Sequence, residues 1–154
     1  MPSAASRITP AQFAEVLRLG MPAAAAMSVQ VTTLEHGLAV LRFTARPDDL
    51  RPGGSVAGPV LFALGDLAMY AAVMSVAGVV PLAVTTDATI HFLRRPQAGE
   101  LEARARVLKN GKRLVIGDVH IAHVADDEAP VAHLVMTYSK PDRSEAEGET
   151  RPDA

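Results

Sequence analysis

GPVLFALGDLAMYAAVMSVAG, from Gly58 to Gly78, holds a single charge, that of Asp66. Around it, thirty-four of the thirty-five positions from Pro52 to Thr86 carry neither a formal charge nor a histidine. Gly58-Pro59 reads as a helix start, because proline at the first helical position gives up an N–H that is unpaired there anyway. Gly78 ends the run. A helix this apolar on every side must be wrapped on several sides. About 18 apolar residues also suffice to span a bilayer, and Leu67 to Val84 reach that length. That run is mostly Ala and Val, is broken by Gly78-Val79-Val80-Pro81 and lacks a flanking Lys/Arg cluster. A buried helix followed by a strand is therefore expected, and no membrane span.

Upstream, Thr9-Pro10-Ala11-Gln12 has the residues of a helix N-terminus, and Phe13, Val16 and Leu17 follow at helical spacing until Gly20. From Met27 to Arg46 apolar and polar residues alternate, with Glu35-His36-Gly37 as a turn, so two paired strands are expected. Residues 46–54 are loop by composition. After Pro81 the period changes to two: Val84, Thr86, Ala88, Ile90 and Phe92 are assigned to one face of a strand, Thr85, Asp87, Thr89 and His91 to the other. Three further strands are read over Glu100 to Lys109, Arg113 to Val124 and Pro130 to Lys140, with Asn110-Gly111 as a hairpin signal. The expected order is short helix, two strands, one long buried helix, then a four-stranded antiparallel meander. That is an α+β fold in which a strongly curved sheet of about six strands wraps the central helix. The segments are an N-terminal piece over 1–24, one domain over 25–140, and a disordered acidic tail over 141–154.

The 154 residues suit one domain, and 49% hydrophobic content suffices for one sizeable core. A net charge of -2, with four Phe and two Tyr, argues against nucleic acid as a partner. The absence of cysteine excludes disulfides, thiolate metal sites and a Cys nucleophile. The N-terminus lacks the basic-then-apolar order of a signal peptide, so a cytoplasmic location is expected. Five histidines, His36, His91, His120, His123 and His133, include no pair at a convincing metal spacing, since His120 and His123 on one strand point to opposite faces. No metal is expected.

Asp66 is the energetic anomaly. Removing a carboxylate from water costs several kcal/mol unless partners or a polar cavity compensate, so it either lines a site or is a structural acid with hydrogen-bond donors. Gly58, eight residues earlier and about 12 Å away along the helix axis, exposes an N–H at the positive end of the helix dipole. That amide suits an oxyanion. Tyr70, one turn after Asp66, falls on the same face and could orient water or satisfy the acid. Gly54-Ser55-Val56-Ala57-Gly58 is neither a Gly-x-Ser-x-Gly elbow nor a phosphate loop.

Ala57-Gly58-Pro59-Val60-Leu61-Phe62-Ala63-Leu64-Gly65-Asp66 resembles the motif His-Gly-Gly-x-x-x-x-Leu-Ala-Asp of the hotdog-fold acyl-CoA thioesterases, in particular the PaaI-like group of phenylacetate pathways. Residues 83–96, ending in His91-Phe92-Leu93-Arg94-Arg95-Pro96, resemble that family's strand ending in Asn-Phe-Leu-Arg-Pro. Gly99 to Val107 and Lys109 to Arg113 match in kind and order, so the resemblance covers about residues 25 to 140. It implies a hotdog fold and hydrolysis of an acyl-CoA. The Gly58 amide is the implied oxyanion donor, and Asp66 of a facing subunit the nucleophile or general base. It also implies sites between paired subunits, in a homodimer or a dimer of dimers, with coenzyme A present only as part of the substrate and no separate cofactor.

Three positions depart from the family pattern. Its histidine is Ala57 here, its second glycine is Pro59 and its upstream asparagine is Arg51, which removes two polar contacts to the thioester region. Tyr70 stands where some relatives place a small hydroxyl residue. Arg51, Ala57, Pro59, Phe62, Thr86, His91, Arg94, Arg95 and Arg113 are the candidate substrate-binding residues. Arg94, Arg95, Lys112 and Arg113 are candidates for the coenzyme A phosphates. Phe62, Met69, Tyr70 and Met74 are expected to set pocket depth. Two rivals remain: a hotdog thioester dehydratase or hydratase, which would need a histidine near the loop, and a non-catalytic acyl-CoA-binding protein.

Overall fold

The computed structural model describes residues 4–142. The acidic tail lies outside the described residues beyond Asp142. Helix α1 (Pro10–Gly20) starts where the sequence places it: the Thr9 hydroxyl accepts from the Gln12 N–H, and the Gln12 side chain accepts from the Thr9 N–H. This capping box satisfies two of the amides that a helix start leaves unpaired. Ile8, Phe13 and Leu17 are buried in the main core, so helix α1 and the residues just before it are packed onto the domain. A single turn, α2 (Pro22–Ala25), leads into strands β1 (Gln30–Glu35) and β2 (Leu38–Thr44). The long helix α3 (Gly58–Ala77) follows, and then β3 (Val84–Phe92), β4 (Glu100–Asn110), β5 (Leu114–His123) and β6 (Ala132–Ser139).

All six strands form one antiparallel curved sheet in the order β1-β2-β4-β5-β6-β3, with α3 against β2, β4 and β5. This is the hotdog arrangement. Helix α3 is long and apolar enough to cross a membrane, with a hydropathy of 1.9, yet 72% of its apolar window is buried inside the protein. Leu61, Leu64, Met69 and Met74 are fully buried, each contributing about 1.5–3 kcal/mol by leaving water. Met69 and Met74 are thus core residues, whereas Phe62 is 36% exposed.

Two expectations about the strands need correction. The last four strands are not a meander: β3 skips β4 and pairs with β6, at the far edge. Alternation shows which face of a strand is buried but not which strand lies beside it. The polar, largely exposed β3 suits an edge, while Ala103, Ala105, Val119 and Ile121 in β4 and β5 are fully buried. The phase of β3 is also broken, because its register against β6 shifts between Thr85 and Asp87. The extra residue of this bulge turns Thr85 inward and leaves Val84 56% exposed, while Ala88 and Ile90 still pack on the core.

The Asn110-Gly111 hairpin forms, for a reason other than left-handed backbone. Gly111 has no positive φ; its N–H donates to the Leu114 carbonyl at 2.8 Å, and a Cβ there would stand 2.7 Å from that same oxygen. The β1–β2 turn does use a left-handed glycine, Gly37 (φ 80), whose N–H donates to the fully buried Ser75 hydroxyl at 2.9 Å. Ser75 in turn donates to the Ala72 carbonyl at 2.6 Å. Ser75→Ala strands the Gly37 N–H, so it should destabilise the fold by about 1–3 kcal/mol. Urea unfolding would show this as a lower midpoint at unchanged slope. An unchanged midpoint would mean that the bond contributes nothing.

Candidate active site

Asp66 is half-buried on the face of α3 that looks toward the start of β3 and the end of β6. Two hydroxyls converge on one of its oxygens: Thr85 donates to Oδ1 at 2.7 Å and Tyr138 donates to it at 2.5 Å. Hydrogen bonds to an ionised acceptor are the short, strong class. Oδ2 accepts none from the described residues, and no buried side-chain oxygen among them lacks a partner. Oδ2 is therefore the oxygen open to the adjoining cavity, about 240 Å³, lined by Asp66, Tyr70, Pro81, Val84, Thr85 and Tyr138. One oxygen is held and the other is presented.

Neither donor was among the residues singled out from the sequence. Tyr138 lies 72 positions after Asp66 and reaches it only through the β3–β6 register. Thr85 was assigned to the wrong face because the bulge is silent in the alternation. Thr86, the candidate, is exposed and donates to the Thr137 carbonyl at 3.2 Å. Tyr70 lines the cavity, but its hydroxyl donates to the Pro81 carbonyl at 2.7 Å and does not bond Asp66. Its ring stacks on Tyr138 at 6.0 Å, an interplanar angle of 19°, and meets Phe13 edge-on. Tyr70 is thus a wall of the site that braces the Tyr138 ring.

Burial, and then the Asp66 charge, push Tyr70 up to about 12 and raise Tyr138 well above its ordinary value. Both phenols are neutral donors throughout the physiological range. Unfolding returns them to about 10, so the stability they favour is complete below that pH and is lost as pH rises through the folded values. The chain has two tyrosines and no tryptophan, so tyrosinate absorbance reports on this site alone. In an alkaline titration it should appear only well above pH 10, together with unfolding. Tyrosinate at about pH 10 in a protein with intact circular dichroism would contradict this environment.

Gly58 opens the second half of the constellation. At the start of α3 the Ala57 N–H donates to the Asp49 carbonyl, Pro59 has none, and the Val60 and Leu61 N–H groups both turn back to the Ala57 carbonyl. Gly58 keeps the one first-turn amide with no acceptor among the described residues. It faces a larger cavity, about 610 Å³, lined also by Arg51, Ser55, Phe92, Arg94 and Arg95. Arg94 is anchored by a bond to the Pro130 carbonyl at 2.8 Å, and Arg95 packs against Gly53, whose φ of 91 and lack of Cβ leave room for the guanidinium.

Other candidates lie elsewhere. Ala57 and Pro59 flank the amide without offering a polar side chain. Arg113 sits in the β4–β5 loop, ion-paired with Asp142 at 3.0 Å, beyond the opposite end of β6 from Arg94. Eight strand residues separate the two by about 25 Å, so Arg113 and its neighbour Lys112 do not join Arg94 and Arg95 in one chain. His91 pairs with His133 on the outer face of the sheet and lines neither cavity.

Residues 53–141 match the model of the thioesterase superfamily. The chain belongs to that superfamily. Among solved structures it is similar to a "putative thioesterase" of Silicibacter sp. TM1040, with 35% identity and a TM-score of 0.80, over 92% of this chain and 97% of the other. It is also similar to the E. coli PaaI protein from the phenylacetic acid degradation operon, with 27% identity and a TM-score of 0.73, over 85% and 92% of the two chains. A Saccharolobus solfataricus protein named "putative esterase" is 32% identical over 93 residues, spanning 60% of this chain and 61% of that relative. The PaaI-like resemblance seen in the motifs is thereby supported by both sequence and fold.

Proposed function

We propose that this chain hydrolyses an acyl-CoA thioester, at a site completed by two copies of itself. The observation that carries the reading is the disposition of Asp66 and Gly58. Each presents an unused group to a cavity, Oδ2 in one case and a backbone N–H in the other, and the two cavities are separate within one chain. Strand β3 links them. Its Phe92 end packs on Gly58, with the ring 3.1 Å from where a Cβ would be, and its Thr85 end holds Asp66.

Strand β3 is also a sheet edge, with Val84 and Phe92 56% and 57% exposed at its two ends. An edge strand is a template for pairing, and isologous antiparallel pairing of two β3 strands sets the Gly58 end of one copy beside the Asp66 end of the other. The thioester carbonyl then rests on the Gly58 N–H of one copy. Oδ2 of Asp66 from the other copy attacks the carbonyl carbon or takes a proton from the attacking water. The developing oxyanion is stabilised by the amide and the helix start and collapses as the C–S bond breaks. On the general-base route the proton taken by Asp66 passes to the thiolate and the free acid leaves; on the nucleophilic route water then hydrolyses the Asp66 acyl anhydride and its proton ends on the thiolate. Arg51, Arg94 and Arg95 supply positive charge beside the amide for the phosphates of coenzyme A.

Thiol release from a panel of short, medium and aryl acyl-CoAs tests the reading. Turnover of at least one class is expected. Saturable binding without thiol release would replace it with a binding protein, and reversible hydration of an enoyl-CoA would replace it with a hydratase.

A further inference from the structure

Strands β5 and β6 place three metal-ligand side chains on the outer face of the sheet, the face turned away from α3 and from Asp66. His120 and His133 are direct cross-strand partners with rings 4.5 Å apart, and Asp118, two residues before His120, shares their face. The His133 and His120 Nε2 atoms stand 3.2 and 3.3 Å from Oδ2 of Asp118. All three donor atoms lie within 4.8 Å of one another. In a tetrahedral Zn²⁺ shell with bonds of about 2.0–2.1 Å, neighbouring donors are about 3.3 Å apart. Both histidines stand at that distance from the carboxylate oxygen, and the third separation is bounded at 4.8 Å, so small side-chain adjustments bring the set to a coordination shell.

We propose that Asp118, His120 and His133 bind one divalent transition-metal ion of the Zn²⁺ type, with water in the remaining position. The donors are two imidazoles and a carboxylate, a mixture suited to such ions and poor for Mg²⁺ or Ca²⁺. They are carried on rigid paired strands, not on loops. The carboxylate is recessed, with 13% of its side chain exposed, while His133 and His120 are 28% and 52% exposed, so the site is preformed yet reachable.

The surrounding charges bear on affinity. Arg106 approaches the other carboxylate oxygen, Oδ1, at 3.8 Å, and Arg104 lies opposite His120 in the β4–β5 register. Against them stand Glu102, which holds Arg104 at 3.3 Å, and Asp127 and Glu128, which line a cavity of about 350 Å³ beside His120. With one anionic ligand and two guanidinium groups nearby, micromolar binding is expected rather than nanomolar. His120 and His123 point to opposite faces, as their spacing implies, and the partner of His120 comes from the neighbouring strand. The ligand set exists only once the β5–β6 register is known.

The test is metal titration of the full chain freed of any affinity tag. Zn²⁺ is followed by competition with a chromophoric chelator, and Co²⁺ by its visible ligand-field bands. Wild type should bind one equivalent per chain, with the intense bands of tetrahedral Co²⁺. His120→Ala and His133→Ala should each weaken Zn²⁺ at least about tenfold with the circular dichroism unchanged. The proposal is overturned by wild type that shows no saturable Zn²⁺ binding or only the weak bands of octahedral Co²⁺, and equally by folded variants that keep wild-type affinity. The Co²⁺ spectrum of wild type decides the matter even if a variant fails to fold.

Discussion

Asp66→Asn and Asp66→Ala should each reduce thioester hydrolysis about a thousandfold, within the range that a positioned acid–base group supplies. The asparagine variant is the cleaner of the two. Its amide oxygen can still accept from Thr85 and Tyr138, which now hold Oδ1 at 2.7 and 2.5 Å, so the fold is retained. An amide neither takes a proton from water nor attacks a carbonyl. In the alanine variant the Tyr138 hydroxyl keeps the Asp66 backbone carbonyl, 3.1 Å away, as an acceptor, and the expected change in stability is correspondingly small. Because the carboxylate acts on the reacting atoms, kcat and kcat/KM should fall together with KM little changed. Turnover that survives both substitutions would remove Asp66 from the mechanism.

Gly58→Val is the second large effect. Valine leaves the N–H in place and is sterically allowed, since Gly58 has no positive φ. Its Cβ, however, enters the space 3.1 Å from the Phe92 ring, and the two methyls extend into the cavity where the carbonyl must approach the amide. Phe92 is 57% exposed and can give way, so stability should change by no more than about 1 kcal/mol. Hydrolysis should fall about 10²–10³-fold, the loss associated with an oxyanion donor. A variant that folds and turns over at the wild-type rate would show that the carbonyl does not use this amide.

The parts of this protein legible from sequence are those set by local chemistry. Thr9-Pro10 starts α1, Gly58-Pro59 and Gly78 bound α3, and Glu35-His36-Gly37 turns β1 into β2. Asp66 stood out because a carboxylate amid so many apolar residues is costly. What was not legible depends on which strands meet. The exit of β3 to the far edge, the bulge at Thr85–Asp87, the Tyr138 hydroxyl on Asp66 and the facing of His120 with His133 all follow from registers between segments far apart in the chain. Alternation specifies a face, and only pairing specifies a neighbour.

The most direct test of the shared site is to mix Asp66→Ala chains with Gly58→Val chains after dissociation and reassembly, and to measure thiol release. Each variant alone lacks one half of every site. Random pairing of two copies puts both intact halves together in one of the two sites of each mixed dimer, so recovery to about a quarter of wild-type activity is expected. A mixture no more active than its separate components would place Gly58 and Asp66 in the same chain's site, or in no common site, and would contradict the mechanism.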